Sequence, residues 1–265
     1  MMGMSEGRTE EFDILRVDQD DTVFTGERLV INKQVKQHLH KVMDEHLARY
    51  ELACGYAKGR NVLDAACGTG YGTRMLKDCG ACKAVGVDIS RESIDNANIT
   101  YRTENVEFIF GDVNSLPFVD GSFDMAVSFE TIEHVMDGAR LIKEASRVLS
   151  ENGLFIVSTP NRNVTNPGIY VEERPLNRYH LYEYSLTEFI GALLKYFDIV
   201  EIYGQAFVDD CQTFAVKIVR QARGMDADYV PEENKTVPEH FLVPLSEIKN
   251  ANPTYIVAVC RKKLS

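Results

Sequence analysis

The chain has 265 residues and a formal net charge of −11. That length suffices for one large α/β domain with a sizeable core, and the acidic balance speaks against a surface that tracks nucleic-acid phosphates. No apolar run approaches the ~20 residues of a membrane-spanning helix, and Met1 to Asp13 is polar and acidic, without the apolar core of a signal peptide. The reading is therefore a cytoplasmic protein with neither membrane nor nucleic acid among its partners.

In chain order, residues 1–59 read as a polar arm followed by a helix from about Lys36 to Ala57. His38, His40 and His46 fall on that helix; the 38/40 spacing does not put that pair on one face, and the three read as a solvated face rather than a metal site. Strand candidates then follow at Arg60–Ala65, Lys83–Asp88, Val106–Gly111, Phe123–Phe129, Gly153–Thr159 and Asp198–Phe207. Between them lie helical patterns. Leu141, Ile142, Ala145, Val148 and Leu149 recur at helix spacing, as do Phe189, Ile190, Leu193, Leu194 and Phe197. The second pattern opens with Ser185-Leu186-Thr187-Glu188, the spacing of a capping box. Alternating helices and largely apolar strands imply a parallel sheet covered on both faces. An acidic, proline-bearing stretch, Met225–Pro244, lies within the 208–253 segment, and Tyr255–Cys260 is a final strand. The six cysteines are scattered and read as free thiols in a reducing compartment. Cys79-Gly80-Ala81-Cys82 has no second pair to complete a four-ligand zinc site and reads as a helix-to-strand turn; no metal ligands are assigned.

The segment Val62-Leu63-Asp64-Ala65-Ala66-Cys67-Gly68-Thr69-Gly70-Tyr71-Gly72 is a strand, a tight turn and a helix start. Glycine serves where the backbone takes φ > 0 or touches a ligand. A dinucleotide loop is G-x-G-x-x-G; here Thr73 stands where the last glycine belongs, and Asp64 would face a pyrophosphate unfavourably. An acid just upstream of the glycines instead suits a ligand with a positive end, such as an amino acid or a sulfonium. The next strand ends in Asp88, and an acid at that place takes ribose hydroxyls. The third ends in Phe110-Gly111-Asp112-Val113, where a carboxylate can accept from an exocyclic amine and a backbone N–H can donate to a ring nitrogen. Asp is also common at strand ends as a cap; three at successive strand tips are harder to explain that way.

On Val62–Gly72, Val85–Ser90, Phe110–Phe118, Asp120–Ser128, Glu130-Thr131-Ile132-Glu133-His134 and Leu149–Pro160, the chain resembles the class I S-adenosylmethionine-dependent methyltransferases over about residues 45–207. Ala66 departs from the family's usual glycine by one methyl group. The resemblance implies a Rossmann-like seven-stranded sheet in the order 3-2-1-4-5-7-6, last strand antiparallel, with helices on both faces and an N-terminal helical lid. Residues 1–59 would be arm and lid helix, and residues 60–265 the core, with a substrate-side insertion at about 208–253. It implies S-adenosyl-L-methionine as cofactor. Gly68 and Gly70 would lie against its methionine part, Asp64 near its ammonium and Asp88 on the ribose hydroxyls. Ile89 would pack on the adenine, Asp112 and Val113 would read its edge, and Phe129 and Glu130 would contact the methionine moiety. Arg28 and Tyr50 are lid contacts, and Tyr179 and Tyr182 substrate-side candidates.

The reading is methyl transfer to an O or N atom of a small molecule, a natural product, sugar or related metabolite. A hydroxyl acceptor needs a base, for which His134 is the candidate and His180 the weaker one; the alternative is that His180 and Glu183 fasten their loop to the core. Other readings are a binding protein of this fold with non-methylating chemistry, a C-methyl acceptor, an oxidoreductase, disfavoured by the glycine register, and a nucleic-acid methyltransferase, disfavoured by the charge. The acceptor and oligomeric state are left open, a homodimer among the options.

Overall fold

The computed structural model describes residues 40–168, 174–208, 241–248 and 252–264. Arg28, His38, the Phe24–Val30 stretch and most of the 208–253 segment lie outside the described residues. A helix, α1 (His40–Ala57), precedes β1 (Asn61–Ala65), α2 (Tyr71–Asp78), β2 (Lys83–Asp88), α3 (Arg91–Thr100), β3 (Val106–Phe110), β4 (Phe123–Ser128) and α4 (Gly138–Val148). Then come β5 (Leu149–Pro160), a single turn α5 (Arg162–Thr165), α6 (Leu186–Leu193), β6 (Phe197–Val208), β7 (Val243–Pro244) and β8 (Asn252–Lys262).

The sheet order is β3-β2-β1-β4-β5-β8-β6-β7. Strands β1 to β5 pair in parallel, and β8 lies antiparallel between β5 and β6. This is the expected Rossmann-like order, with one correction: the described residues form eight strands rather than seven. The extra one is the two-residue β7, paired with Tyr203 and Gly204 of β6. Pro244 can serve there because an outermost strand leaves one row of backbone groups unpaired, where a missing N–H costs nothing. Strand β5 starts four residues earlier than its apolar run suggests. Leu149 pairs with Phe123 before a register shift, and Asn152 takes a positive φ there.

The alternation of side chains along each strand builds two cores. Val62, Met125, Val127, Ile156, Val257 and Val259 face α1, α2 and α3, where Ala53, Leu76, Ile94 and Ala97 are buried. Leu63, Ala65, Ala126, Phe155, Val157 and Ala258 face α4 and α6 through Leu141, Ile142, Phe189 and Leu193. Each fully buried Val, Leu, Ile, Phe or Met among these contributes roughly 1.5–3 kcal/mol of apolar burial, and each Ala less. Both faces being covered explains why the central strands read as unbroken apolar runs. Asp64 is the exception: by the period of two it shares a face with Val62 and is buried under α1 and α2.

The helices begin where short polar side chains can cap them. Ser90, Asp137 and Ser185 each accept from a backbone N–H of α3, α4 and α6, and Ser185 with Glu188 forms the expected capping box. The free-thiol reading fails for one pair: Cys54 on α1 is disulfide-bonded to Cys79 at the end of α2, with Cα atoms 5.5 Å apart. The two helices lie face to face, which spacing along the chain does not reveal; Cys67, Cys82 and Cys260 are free. No helix among the described residues is long and apolar enough to cross a membrane.

Candidate active site

A cavity of about 500 Å³ opens at the carboxyl ends of β1, β2, β3 and β4, the end at which open α/β sheets bind ligands. The turn after β1 forms its floor. Ala66 and Cys67 donate their backbone N–H groups to Val87 O at 2.8 and 3.0 Å, and Ala66, Gly68 and Gly70 all take positive φ. At Gly70 (φ 91°) a Cβ would also strike Phe108 and Ala97. Gly72 is a glycine for another reason: a Cβ there would fall 1.9 Å from the ring of Tyr50. Ala66 occupies its left-handed conformation at a cost of roughly 1–2 kcal/mol.

Asp88 ends β2 in the cavity wall. One carboxylate oxygen accepts from Gly68 N at 2.9 Å and the other from Ser90 N at 2.8 Å, so this acid ties the first loop to the second. Ile89 follows with 64% of its surface exposed, an apolar side chain laid open beside the acid. Asp112 accepts from Asn114 N at 2.8 Å in a tight turn, beside the buried Val113. Thr69 Oγ1 and Asn114 Oδ1 are buried polar atoms with no hydrogen-bond partner among the described residues, both on the cavity wall. Such orphans are costly unless something fills the site.

Asp64 is not in the wall. It is 1% exposed, accepting from Thr73 Oγ1 at 2.7 Å and from Tyr50 Oη at 3.2 Å. Burial pushes its carboxyl up to about 7, against the pull of those two hydroxyls, and the charge of Asp88 adds to the rise. Tyr50, on α1, is the residue that meets the cavity, wedged edge-on against Tyr71 and Phe129. Gly70 is likewise outside the wall, while Gly68, Asp88, Ile89, Asp112, Val113, Phe129, Glu130 and His134 are in it.

His46 corrects the solvated-face reading of α1: it lines the cavity, and burial with the nearby Arg49 charge pushes it down to about 3. Arg49 is buried, with Nε donating to Gln205 Oε1 at 2.9 Å, its guanidinium over Tyr255 and Nη1 3.6 Å from Glu130. Glu130 itself takes φ 48°, fixed by a reciprocal pair of hydrogen bonds with Ser158.

Beyond Glu130 the chain brings a second group together. Glu133 is buried, with Oε2 accepting from Thr159 at 3.2 Å; burial, with the nearby Glu130 charge, holds its carboxyl well above the usual range. Its carbonyl accepts from Leu181 N at 2.7 Å, which folds the 177–183 loop back over it. His134 and His180 rings thereby meet edge to face, centroids 4.8 Å apart. His134 Nδ1 faces the Tyr179 carbonyl at 3.3 Å, and His180 Nδ1 faces Glu183 Oε1 at 2.5 Å. Glu183 is further held by Thr165 and Asn166, so it fastens the loop as well as orienting His180. Tyr179 and Tyr182 are not in the wall: Tyr182 Oη donates to Glu188 at 3.1 Å, and the Tyr179 ring lies beneath Arg178.

Residues 63–157 match a family described as a methyltransferase domain. Over 170 residues the chain is 33% identical to a protein of Mycobacterium tuberculosis described as a probable S-adenosylmethionine-dependent methyltransferase, the match covering 64% of this chain and 59% of that one. It is 34% identical over 115 residues to the ubiquinone biosynthesis O-methyltransferase of Coxiella burnetii, covering 40% of this chain and 46% of that one. A solved structure of an S-adenosylmethionine-dependent methyltransferase from Thermotoga maritima shares the fold, with TM-score 0.53 and 19% identity over 86% of this chain and 96% of that one. The chain spans about 59% of the length of the mycobacterial relative. Residues 63–157 are thus similar to a methyltransferase domain, and the relatives matched over a longer stretch are described as probable S-adenosylmethionine-dependent methyltransferases.

Proposed function

We propose that this chain is an S-adenosylmethionine-dependent methyltransferase acting on an O or N atom of a small molecule. The observation that carries the reading is Asp88, a carboxylate at the tip of β2 set in the cavity wall and bonded to the glycine turn beside it. The residues fit the cofactor. Asp88 would take the ribose hydroxyls, Ile89 would pack on the adenine, and Asp112 with Val113 would read the adenine edge. Gly68 with Phe129 and Glu130 would border the methionine part, Gly70 shaping the turn behind it, and Tyr50 would relay the Asp64 carboxyl to its ammonium. Thr69 and Asn114 would gain the partners they lack.

S-adenosylmethionine supplies a methyl group already activated on a sulfonium. What the chain adds is alignment and exclusion of water. For a hydroxyl acceptor a proton must also be removed. With Nδ1–H donated to the Tyr179 carbonyl, His134 presents Nε2 as the acceptor of that proton. An amine acceptor needs only to arrive unprotonated. The size of the cavity, the net charge and the small-molecule pathway named for the Coxiella relative support a small acceptor over a nucleic acid.

Calorimetry with S-adenosylmethionine and with NAD tests the cofactor. Stoichiometric binding of the first and none of the second is expected, and Asp88→Ala should lower the affinity by at least about 100-fold, since a buried hydrogen-bonding acid is lost. Binding of NAD in place of the sulfonium, or undiminished affinity in the variant, would refute the assignment. Labelled cofactor with a panel of sugars, phenols, hydroxy acids and amines, read by mass spectrometry, then identifies the acceptor class. His134→Ala should reduce turnover by 100-fold or more with cofactor affinity within about twofold; unchanged turnover removes His134 from the mechanism.

A further inference from the structure

We infer that Glu133, His134 and His180 form a binding site for a divalent first-row transition-metal ion at the acceptor side of the cavity. One donor atom from each of the three lies within 4.8 Å of the others. A carboxylate and two imidazoles with room for further ligands is a donor set that suits zinc or manganese.

Three features beyond proximity point to an ion. Glu133 Oε1 is buried and has no hydrogen-bond partner among the described residues, and His134 Nε2 lies 3.8 Å from it. Zinc ligands at ~2.0–2.1 Å in tetrahedral array stand about 3.4 Å apart, so this pair needs to close by only a few tenths of an ångström. The second feature is the orientation of both rings. Each histidine turns Nδ1 to an oxygen, Tyr179 O for His134 and the Glu183 carboxylate for His180. That is how metal-bound imidazoles are held, with the outer hydrogen bond fixing the tautomer that leaves Nε2 as donor. His180 Nε2 now accepts from the Asn177 amide at 2.9 Å, a partly exposed contact that an ion would displace. The third is charge: Arg49 is ion-paired at 3.6 Å with the neighbouring acid, Glu130, which also bonds Ser158, whereas among the described residues the ion-pair partner of Glu133 is His134, at 3.8 Å.

The role of the ion, though not its binding, rests on the methyl-transfer reading. His134 lines the cavity beside Glu130 and Thr131, so an acceptor hydroxyl reaching the methyl group would meet the ion. Coordination lowers the hydroxyl's pKa, and the proton leaves to solvent. The alkoxide oxygen then bonds to the methyl carbon as the carbon–sulfur bond breaks, the sulfur keeping the electron pair. With the ion in place, His134 serves as a ligand instead of the base.

The test uses the full chain stripped with a chelator and titrated with Zn²⁺ or Mn²⁺ alone, followed by calorimetry and metal analysis after dialysis. One ion per chain is expected. Glu133→Gln, which keeps the shape and removes the charge, and His180→Ala should each weaken binding by about 100-fold, and Glu183→Gln by about tenfold. Co²⁺ loaded in their place should give visible bands that change in His180→Ala. If His180→Ala fails to fold, Glu133→Gln decides. No stoichiometric ion, or equal affinity and an unchanged cobalt spectrum in the variants, overturns the inference. S-adenosylmethionine binding in excess chelator is measured alongside: retained cofactor binding with no metal site would refute the ion alone, whereas loss of cofactor binding by chelated and metal-loaded protein alike would refute methyl transfer.

Discussion

Gly72→Ala is the change whose outcome the packing fixes most firmly. The added Cβ would meet Tyr50 Cζ at 1.9 Å and its two Cε atoms at 2.2 and 2.5 Å. The ring would have to retreat by roughly 1.5 Å to reach ordinary contact at about 3.4 Å, and it cannot do so without shifting α1. In retreating it gives up its bond to Asp64 and its edge contacts with Tyr71 and Phe129. Overpacking of this kind costs roughly 1–3 kcal/mol, a buried hydrogen bond about 1 kcal/mol and an edge-to-face pair about 0.5–1.5 kcal/mol. Because these overlap, about 3 kcal/mol is expected, or a fall in Tm of about 6–12 °C for a chain of this size. The decisive comparison is a double-mutant cycle by chemical denaturation. In a Tyr50→Ala background the clash partner is gone, and Gly72→Ala should be neutral or raise stability by up to about 1 kcal/mol, alanine being the better helix former. The sign reversal means a coupling of about 3 kcal/mol. Additive effects, or a neutral Gly72→Ala in the intact chain, would refute the account of why this residue is glycine.

Asp64 binds a proton in the folded chain up to about pH 7 but in the unfolded chain only up to its ordinary value. Between about pH 4 and 7 the native state therefore holds the extra proton, and stability should fall as pH rises through that window and level off above it. In Asp64→Asn this slope, on the order of a few kcal/mol in all, should vanish; an unchanged pH profile would show that Asp64 does not carry it. The Cys54–Cys79 bond closes a separation of 25 residues, for which loop-closure entropy gives roughly 3 kcal/mol. Reduction with dithiothreitol should lower Tm by about 6–12 °C in the parent and leave Cys54→Ser unmoved, while a parent insensitive to reductant would rule that stabilisation out.

The sheet was legible because burial on both faces leaves unbroken apolar runs, and the tip acids Asp88 and Asp112 because a carboxylate closing such a run stands out. Two kinds of feature were not. Partnerships across distant segments leave no periodic trace: Tyr50 over Gly72 and Asp64, Cys54 with Cys79, and the 177–183 loop that sets His180 against His134. His46, spaced along α1 like a surface residue, faces inward because the helix lies over the cavity, which its own sequence does not encode. Thr69 carried a weak signal, lying between two loop glycines, and Asn114 another, two residues after Asp112 where an aspartate turn needs its N–H. Strand β7 had none, since two residues with a proline have no strand signature of their own.

Helix α1 is fastened to the rest of the molecule at nearly every turn: Gln205 meets Glu45 and Arg49, Tyr50 meets Asp64, and Cys54 meets Cys79. A swing of this helix away from the sheet would have to break an ion pair, several buried hydrogen bonds and a covalent bond at once. Its inner surface is therefore a wall tied to the sheet by a covalent bond and buried polar contacts. Elsewhere in the cavity lining, Ile89 and Met136 leave 64% and 88% of their surface exposed, two apolar side chains laid open to solvent beside a wall that is tied down.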